Sequence, residues 1–343
     1  MKDKHFIMFM APSLIAMLLF IALPIVSVFI QSLHIEHEQV IVTSQSCGPF
    51  GCTEETSVDA EATAALKEAD PLGRFAGFQT YTGRNHLATS EVANIVAESS
   101  SVGEFFSDLL NLRFYKALSF TVAYTAVVTP FVVLLGLLIA LAVNSVTPVM
   151  KGPTIFLTLL PMIITPLIGS LVLFWMIDAR GILGASLANL VGDPNLSLKA
   201  SPVLTWIMLM VYGIWHSAPF AFIIFYAGIQ TVPQDTVEAA MVDGATRWER
   251  VRYIVIPHLA PLVVFISLIQ LMDNFRVFEP IVGFQSGANA TSLSYIIYQD
   301  LRGNEMQLFG SAAATSMLTI VGIAILVSPV AVKTWRDFTR KVI

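Results

Sequence analysis

The polar residues that interrupt otherwise apolar stretches are where this sequence could do chemistry. Gln270, Asp273, Asn274, Arg276 and Glu279 fall within one such stretch, near 259–281. A charge at the centre of a membrane helix costs about 2.5 to 3.5 kcal/mol on insertion scales, so charges there face protein or a water-filled cavity. Gln270 and Asn274 stand one turn apart, and Arg276 stands three residues from both Asp273 and Glu279. The spacing therefore predicts one polar helix side lining a passage. The two amides suit a hydroxylated solute, since each offers donors and acceptors. For the charged trio a second reading stands beside the first: Arg276 pairs with Asp273 or Glu279 near the outer surface, or with a partner subunit. In another stretch Gly213, His216, Ser217 and Phe220 recur at i, i+3, i+4 and i+7 and share a face. His216 reads equally well as a ligand or as a histidine hydrogen-bonded between helices.

None of these residues forms catalytic machinery. The apolar stretches hold no His or Cys cluster and no nucleophile paired with a base. No Gly-x-x-x-x-Gly-Lys-Ser/Thr occurs, so the chain has no phosphate cradle of that kind. No catalytic residue and no enzymatic activity is expected.

The elements that must position these residues follow from composition. Of 343 residues, 55% are apolar and 13% charged, against roughly 25% charged in a soluble domain. The surroundings are mostly lipid. A net charge of -5 without a basic run argues against a nucleic-acid partner. Residues 6–31 carry no charge, and about 20 apolar residues suffice to cross the hydrocarbon. A signal peptide has a shorter apolar core and a small-residue cleavage site, so this run is expected to stay as a span. Five further apolar stretches lie near 117–143, 154–177, 202–229, 259–281 and 309–331. Their Pro130, Pro161, Pro166, Pro219 and Gly322 are tolerable in membrane helices.

Six spans put both termini on one side. With the N-terminus inside, the short inner segments hold Lys2, Lys4, Lys151, Arg247, Arg250, Arg252, Lys333, Arg336, Arg340 and Lys341. The outer segments spread eight cations over a much longer length. Cationic loops stay cytoplasmic, so both termini are expected inside. The expected organisation is a cytoplasmic N-terminus and first helix over 1–31, a periplasmic region over 32–116, a five-helix core over 117–331 containing a loop at 230–258, and a cytoplasmic tail over 332–343.

The outer region holds 12 of the 24 carboxylates and reads as a small subdomain, helical over Ser90–Leu112. Both cysteines lie in it, as Cys47-Gly-Pro-Phe-Gly-Cys52, where a disulfide and free thiols are both open. Two cysteines without paired histidines give too few ligands for a metal site.

The inner loop 230–258 is too structured for a passive connector. Asp235 or Thr236 is expected to cap a helix with Glu238 in its first turn. Gly244 is expected to end that helix in the left-handed conformation, and a second amphipathic stretch with Trp248, Val251 and Ile254 to run to Pro257. Without a partner this would be an interfacial helix pair.

Glu238, Ala239, Ala240, Gly244, Ile254 and Pro257 closely resemble the signature loop of permease subunits of binding-protein-dependent ABC importers: Glu-Ala-Ala, three residues, Gly, nine residues, Ile, any residue, Leu, Pro. Ile256 replaces the Leu. Further stretches resemble the sugar-transporting, maltose-type branch: Arg113 to Val122 leading into Leu135–Leu141, Leu160-Pro161, Phe174-Trp175, Gly181–Gly184, Ala227–Pro233, Asp243-Gly-Ala and Thr291–Tyr298. Ser286-Gly-Ala-Asn departs from that branch's Gly-Gly-Pro turn.

The resemblance implies an all-α membrane protein with six transmembrane helices of the type I ABC importer permease fold, and an extracytoplasmic insertion after the first helix. It implies that Glu238, Ala239, Ala240, Asp243, Gly244, Ile254 and Pro257 dock on an ATP-hydrolysing subunit, and it places substrate contacts on the fourth and fifth spans. The implied partners are a second, similar permease subunit, two ATP-binding-cassette subunits holding ATP and Mg, a periplasmic solute-binding protein and membrane lipid, in a bacterial inner membrane. The cargo would be a sugar, oligosaccharide or polyol. An ion-gradient-driven transporter using Asp273 or Glu279 as a proton site, and an ABC permease for a non-sugar solute, are the competing readings.

Overall fold

The computed structural model describes residues 2–48, 51–193, 197–199, 201–303 and 307–340, without the side chains of 2–5, 45–48, 51–55, 337, 338 and 340. The chain begins with α1 (Lys2–Met17), a π-helical turn (Leu18–Ala22) and α2 (Leu23–Ser32). The insertion follows: β1 (His34–Ile35), β2 (Ile41–Gly48), β3 (Gly51–Val58), α3 (Ala60–Ala69), β4 (Arg74–Phe75), α4 (Gln79–Thr82), α5 (Thr89–Glu98) and α6 (Val102–Asn111). Then come α7 (Arg113–Asn144), α8 (Pro148–Ile163), α9 (Pro166–Met176), α10 (Ile182–Val191), α11 (Pro202–Ile229), α12 (Gln234–Val242) and α13 (Arg247–Arg250). A second π-helical turn (Val251–Val255) leads into α14 (Ile256–Phe275), α15 (Glu279–Gly283), α16 (Leu293–Leu301) and α17 (Phe309–Arg340). Among the described residues, five helices are long and apolar enough to cross a membrane, or six if α8 and α9 together make one crossing.

The chain divides into two compact units. The first holds residues 1–116 and 296–320. Over residues 6–31 its opening helical run is mostly apolar and unburied, as a lipid-facing helix must be. The insertion is mixed: β1 pairs antiparallel with β4, and β2 pairs with β3 in a hairpin that sets Cys47 opposite Cys52. The side chains of both cysteines lie outside the described residues. The helix expected over Ser90–Leu112 is two helices, because Ser99–Ser101 leave the helical path and Ser101 caps α6. The unit is held by a polar cluster. Asp300 of α16, whose side chain is almost fully buried, pairs with Arg113 at 2.7 Å and accepts from the Ser311 hydroxyl at 2.7 Å. A buried carboxylate needs such partners, since desolvating an unpaired charge costs several kcal/mol. His86 Nε2 lies 3.0 Å from the Ser311 carbonyl and 3.1 Å from Thr315 Oγ1. Its burial pushes the imidazole pKa below the ordinary value.

The second unit holds residues 117–295 and 321–343. Phe120, Tyr124, Val128 and Val132 repeat every four residues along α7 and meet Leu209, Tyr212, Phe222 and Phe225 of α11, with Leu259 and Ile266 of α14 completing the core. Helices α7 and α11 approach closely at Gly136, where a Cβ would fall 2.9 Å from the Phe222 backbone nitrogen. Small residues at membrane helix crossings give van der Waals packing that replaces the absent hydrophobic drive.

Two expected spans come out differently. The stretch 154–177 is not one straight helix: α8 and α9 meet at a 91° bend. Ile164 and Thr165 are extended there, because a residue preceding proline is pushed out of the helical region, and Thr165 precedes Pro166. The stretch 259–281 is not one helix either. It ends at Phe275, and Glu279 opens the separate α15, with Pro280 in its first turn. Glu279 therefore does not share a helix side with Gln270 and Asn274.

Candidate functional site: a membrane cavity and an exposed helix-turn-helix loop

The loop after α11 is built by local rules. No side chain caps α12: its N-cap is Pro233 and Asp235 sits in the first turn, so neither Asp235 nor Thr236 takes the capping role expected. Pro233 fixes the approach instead, its φ of -59° already near the helical value. Glu238 lies beyond the first turn, accepting from Gln234 Nε2 at 3.0 Å. The C-terminus is as expected. Gly244 has φ +81°, and the Ala245 N–H reaches back to the Ala240 carbonyl at 2.9 Å, the long bond of a Schellman ending. Thr246 and Glu249 then close a capping box on α13. The Thr-Arg-Trp-Glu spacing carried that signal in the sequence.

Past α13 the helix does not stop at Pro257. It passes through the π-helical turn Val251–Val255 and continues as α14, with Pro257 in its first turn. A π turn ahead of a proline relieves the clash of the ring with the preceding turn. The result is a helix, a sharp turn and a helix fused to a membrane span, with a solvent-facing tip. Glu238, Ala239, Asp243, Gly244 and Pro257 are exposed, and Ala240 and Ile254 half-buried. Val242 and Trp248 are 88% and 66% exposed.

A cavity of about 480 Å³ lies within the second unit, between α7, α9, α11, the end of α14 and α15. It brings together Gly213, His216, Ser217, Asp273, Asn274 and Arg276 of the expected pathway residues, together with Glu279. Phe220 and Gln270 do not line it. Gln270 is buried behind Asn274, whose amide donates to Thr129 Oγ1 at 3.0 Å and Gln270 Oε1 at 3.4 Å. Asn274 is itself almost fully buried, so its amide is largely committed to the protein. Arg276 pairs with Asp273 at 2.7 Å, and both remain more than half exposed.

Two tyrosines missed from the sequence complete the wall. Tyr212 donates to the Pro166 carbonyl at 2.8 Å, and its ring stacks on His216 at 5.7 Å and 13°. Tyr124 reaches the cavity because Gly213 leaves room; a Cβ there would collide with its hydroxyl. Tyr212 was legible, one turn before His216 on the same face. Tyr124 was not, because its place depends on how α7 crosses α11. His216 Nδ1 is buried and has no hydrogen-bond partner among the described residues. The cavity thus gathers two buried tyrosine rings, a histidine, a serine hydroxyl and an exposed ion pair around one space.

A model of the family described as binding-protein-dependent transport system inner membrane component matches residues 99–335. The trehalose transport system permease protein SugA of Mycobacterium tuberculosis is 29% identical over 243 residues, 70% of this chain and 76% of that protein. The lactose transport system permease protein LacF of Rhizobium radiobacter is 26% identical over 269 residues, covering 75% and 85%. A crystal structure of a bacterial ABC transporter that imports the acidic polysaccharide alginate contains a chain of similar fold. Its TM-score is 0.66 and its identity 20%, over 98% of this chain and 96% of that one.

Proposed function

Because this chain belongs to the family of binding-protein-dependent transport system inner membrane components, and its helices follow the fold of an ABC importer permease, we propose that it carries a carbohydrate inward by ATP-driven alternating access. The observation that carries this reading is the 234–250 helix-turn-helix. It is fixed at Gly244 and by the Thr246–Glu249 box, yet presents Val242 and Trp248 to solvent. An apolar tip on a rigid mount fused to α14 suits a docking joint that passes displacement into the membrane. The tip would sit in an ATP-hydrolysing partner, which binds ATP and Mg and supplies the energy. The chain itself hydrolyses nothing.

The positive-inside distribution supports cytoplasmic termini and a periplasmic 32–116 region, which would face a solute-binding protein. A second, similar permease would complete the passage, and Cys47 and Cys52 would be bridged in that oxidising compartment. The cavity suits a sugar or polyol: Ser217 and the half-exposed Asp273–Arg276 pair would offer hydrogen bonds to hydroxyls, beside the rings of Tyr124, Tyr212 and His216. The relatives named for trehalose and lactose point the same way.

Uptake of labelled sugar by cells carrying the complete transporter tests the class. Uptake should stop when ATP is depleted and persist when the proton gradient alone is collapsed. The opposite pattern would move the function to a gradient-driven carrier.

A further inference from the structure

Helix α6 has no role in the cavity or the inner loop, and its chemistry is unusually segregated. Val102, Phe105, Phe106, Leu109 and Leu110 fall at i, i+3, i+4, i+7 and i+8, forming one apolar stripe; Glu104, Ser107, Asp108 and Asn111 occupy the opposite side. The stripe is not packed away. Val102, Phe106 and Leu110 are 74%, 55% and 41% exposed. The helix is nonetheless firmly started: Ser101 Oγ accepts from the Glu104 N–H at 3.2 Å, and Glu104 Oε2 accepts from the Ser100 N–H at 3.0 Å and hydroxyl at 2.6 Å. These bonds hold the Glu104 carboxyl below its ordinary pKa, so it stays charged on the polar side.

What covers the stripe follows from the chain. Only Leu112 separates α6 from α7, a membrane-crossing helix of 32 residues. The uncharged run of α7 opens at Ala117, after Arg113 and Lys116. Four helical residues rise about 6 Å, and one linking residue reaches less than about 4 Å. The end of α6 is therefore tied to the headgroup layer. We infer that α6 is an interfacial helix whose Val102–Phe106–Leu110 stripe is immersed at the boundary of headgroups and acyl chains, anchoring the lead into α7. Its occupant is lipid. Residues 102–111 hold two carboxylates and no cation, so zwitterionic lipid suffices and acidic lipid adds nothing.

The test places spin labels at Phe106→Cys and, on the opposite side, Ser107→Cys, in a Cys47→Ser, Cys52→Ser background. The assembled transporter is reconstituted in phosphatidylcholine vesicles. Relaxation by lipid-soluble oxygen and by an aqueous nickel chelate is then compared. The ratio of oxygen to chelate accessibility should be several-fold higher at 106 than at 107. Dominant chelate access at both positions would put the stripe in water and overturn the inference. Exclusion of both reagents at 106 would put it against protein and overturn it equally. Should the serine background fail to fold, a genetically encoded spin-label amino acid at the same positions in the wild-type chain reads the same ratio.

Discussion

His216 and Asn274 show how two polar residues in one cavity take different work. Asn274 spends its amide on Thr129 and Gln270, so replacing it removes native hydrogen bonds, at about 1 to 3 kcal/mol when the partners stay buried. His216 has Nδ1 free of any partner among the described residues and gives its ring face to Tyr212. His216→Phe keeps the stack and removes the nitrogens. We expect uptake to fall at least about tenfold, equivalent to about 1.4 kcal/mol, with the melting temperature of the purified transporter little changed. Equal uptake would take the imidazole out of the solute site. The sequence located the cavity residues well by helical spacing, because one face of α11 stays one face whatever surrounds it. It misplaced Glu279 and overrated Gln270, since the end of α14 at Phe275 and the depth of each side chain depend on packing from α7 and α15.

At the scale of elements, the loop 230–258 was the most legible part. Its glycine is required by a positive φ, and its capping box lies in consecutive residues, so local chemistry fixes both. Thr246→Ala removes one half of that box and should cost about 0.5 to 2 kcal/mol at the N-terminus of α13. The cost should appear as a drop in ATPase activity stimulated by the loaded binding protein, with normal membrane insertion. Unaltered stimulation would mean that the box does not hold the joint. The right-angle break between α8 and α9 was hidden by hydropathy, although Thr165-Pro166 marked the place. The β2–β3 hairpin was missed because its strands are mostly polar and lack a clear two-residue alternation. Its register sets Cys47 opposite Cys52, and directly opposed residues in antiparallel strands lie about 4.5 to 5.5 Å apart at Cα, within disulfide reach. A two-stranded hairpin alone is marginal in water, so a bridge between the two cysteines would have something to stabilise. Intact mass without reductant should show the chain two hydrogens lighter than after reduction; an unchanged mass would leave two thiols.

For the whole molecule, composition already gave a helical membrane protein, because too few charges exist to coat a soluble globule. What it could not give is the makeup of the insertion, where 32–116 folds with 296–320 through the Arg113–Asp300–Ser311 cluster. The Arg113–Asp300 pair joins residues nearly two hundred positions apart, and no local pattern announces it. In the proposed function the chain takes its power from a partner at the tip of α12. The most direct measurement puts a photo-crosslinking amino acid at Val242, the most exposed apolar residue of that tip, in cells expressing the complete transporter. Illumination should yield an adduct with the ATP-hydrolysing subunit, identified by mass spectrometry. An adduct with lipid alone, or with a protein of the outer compartment, would contradict the account.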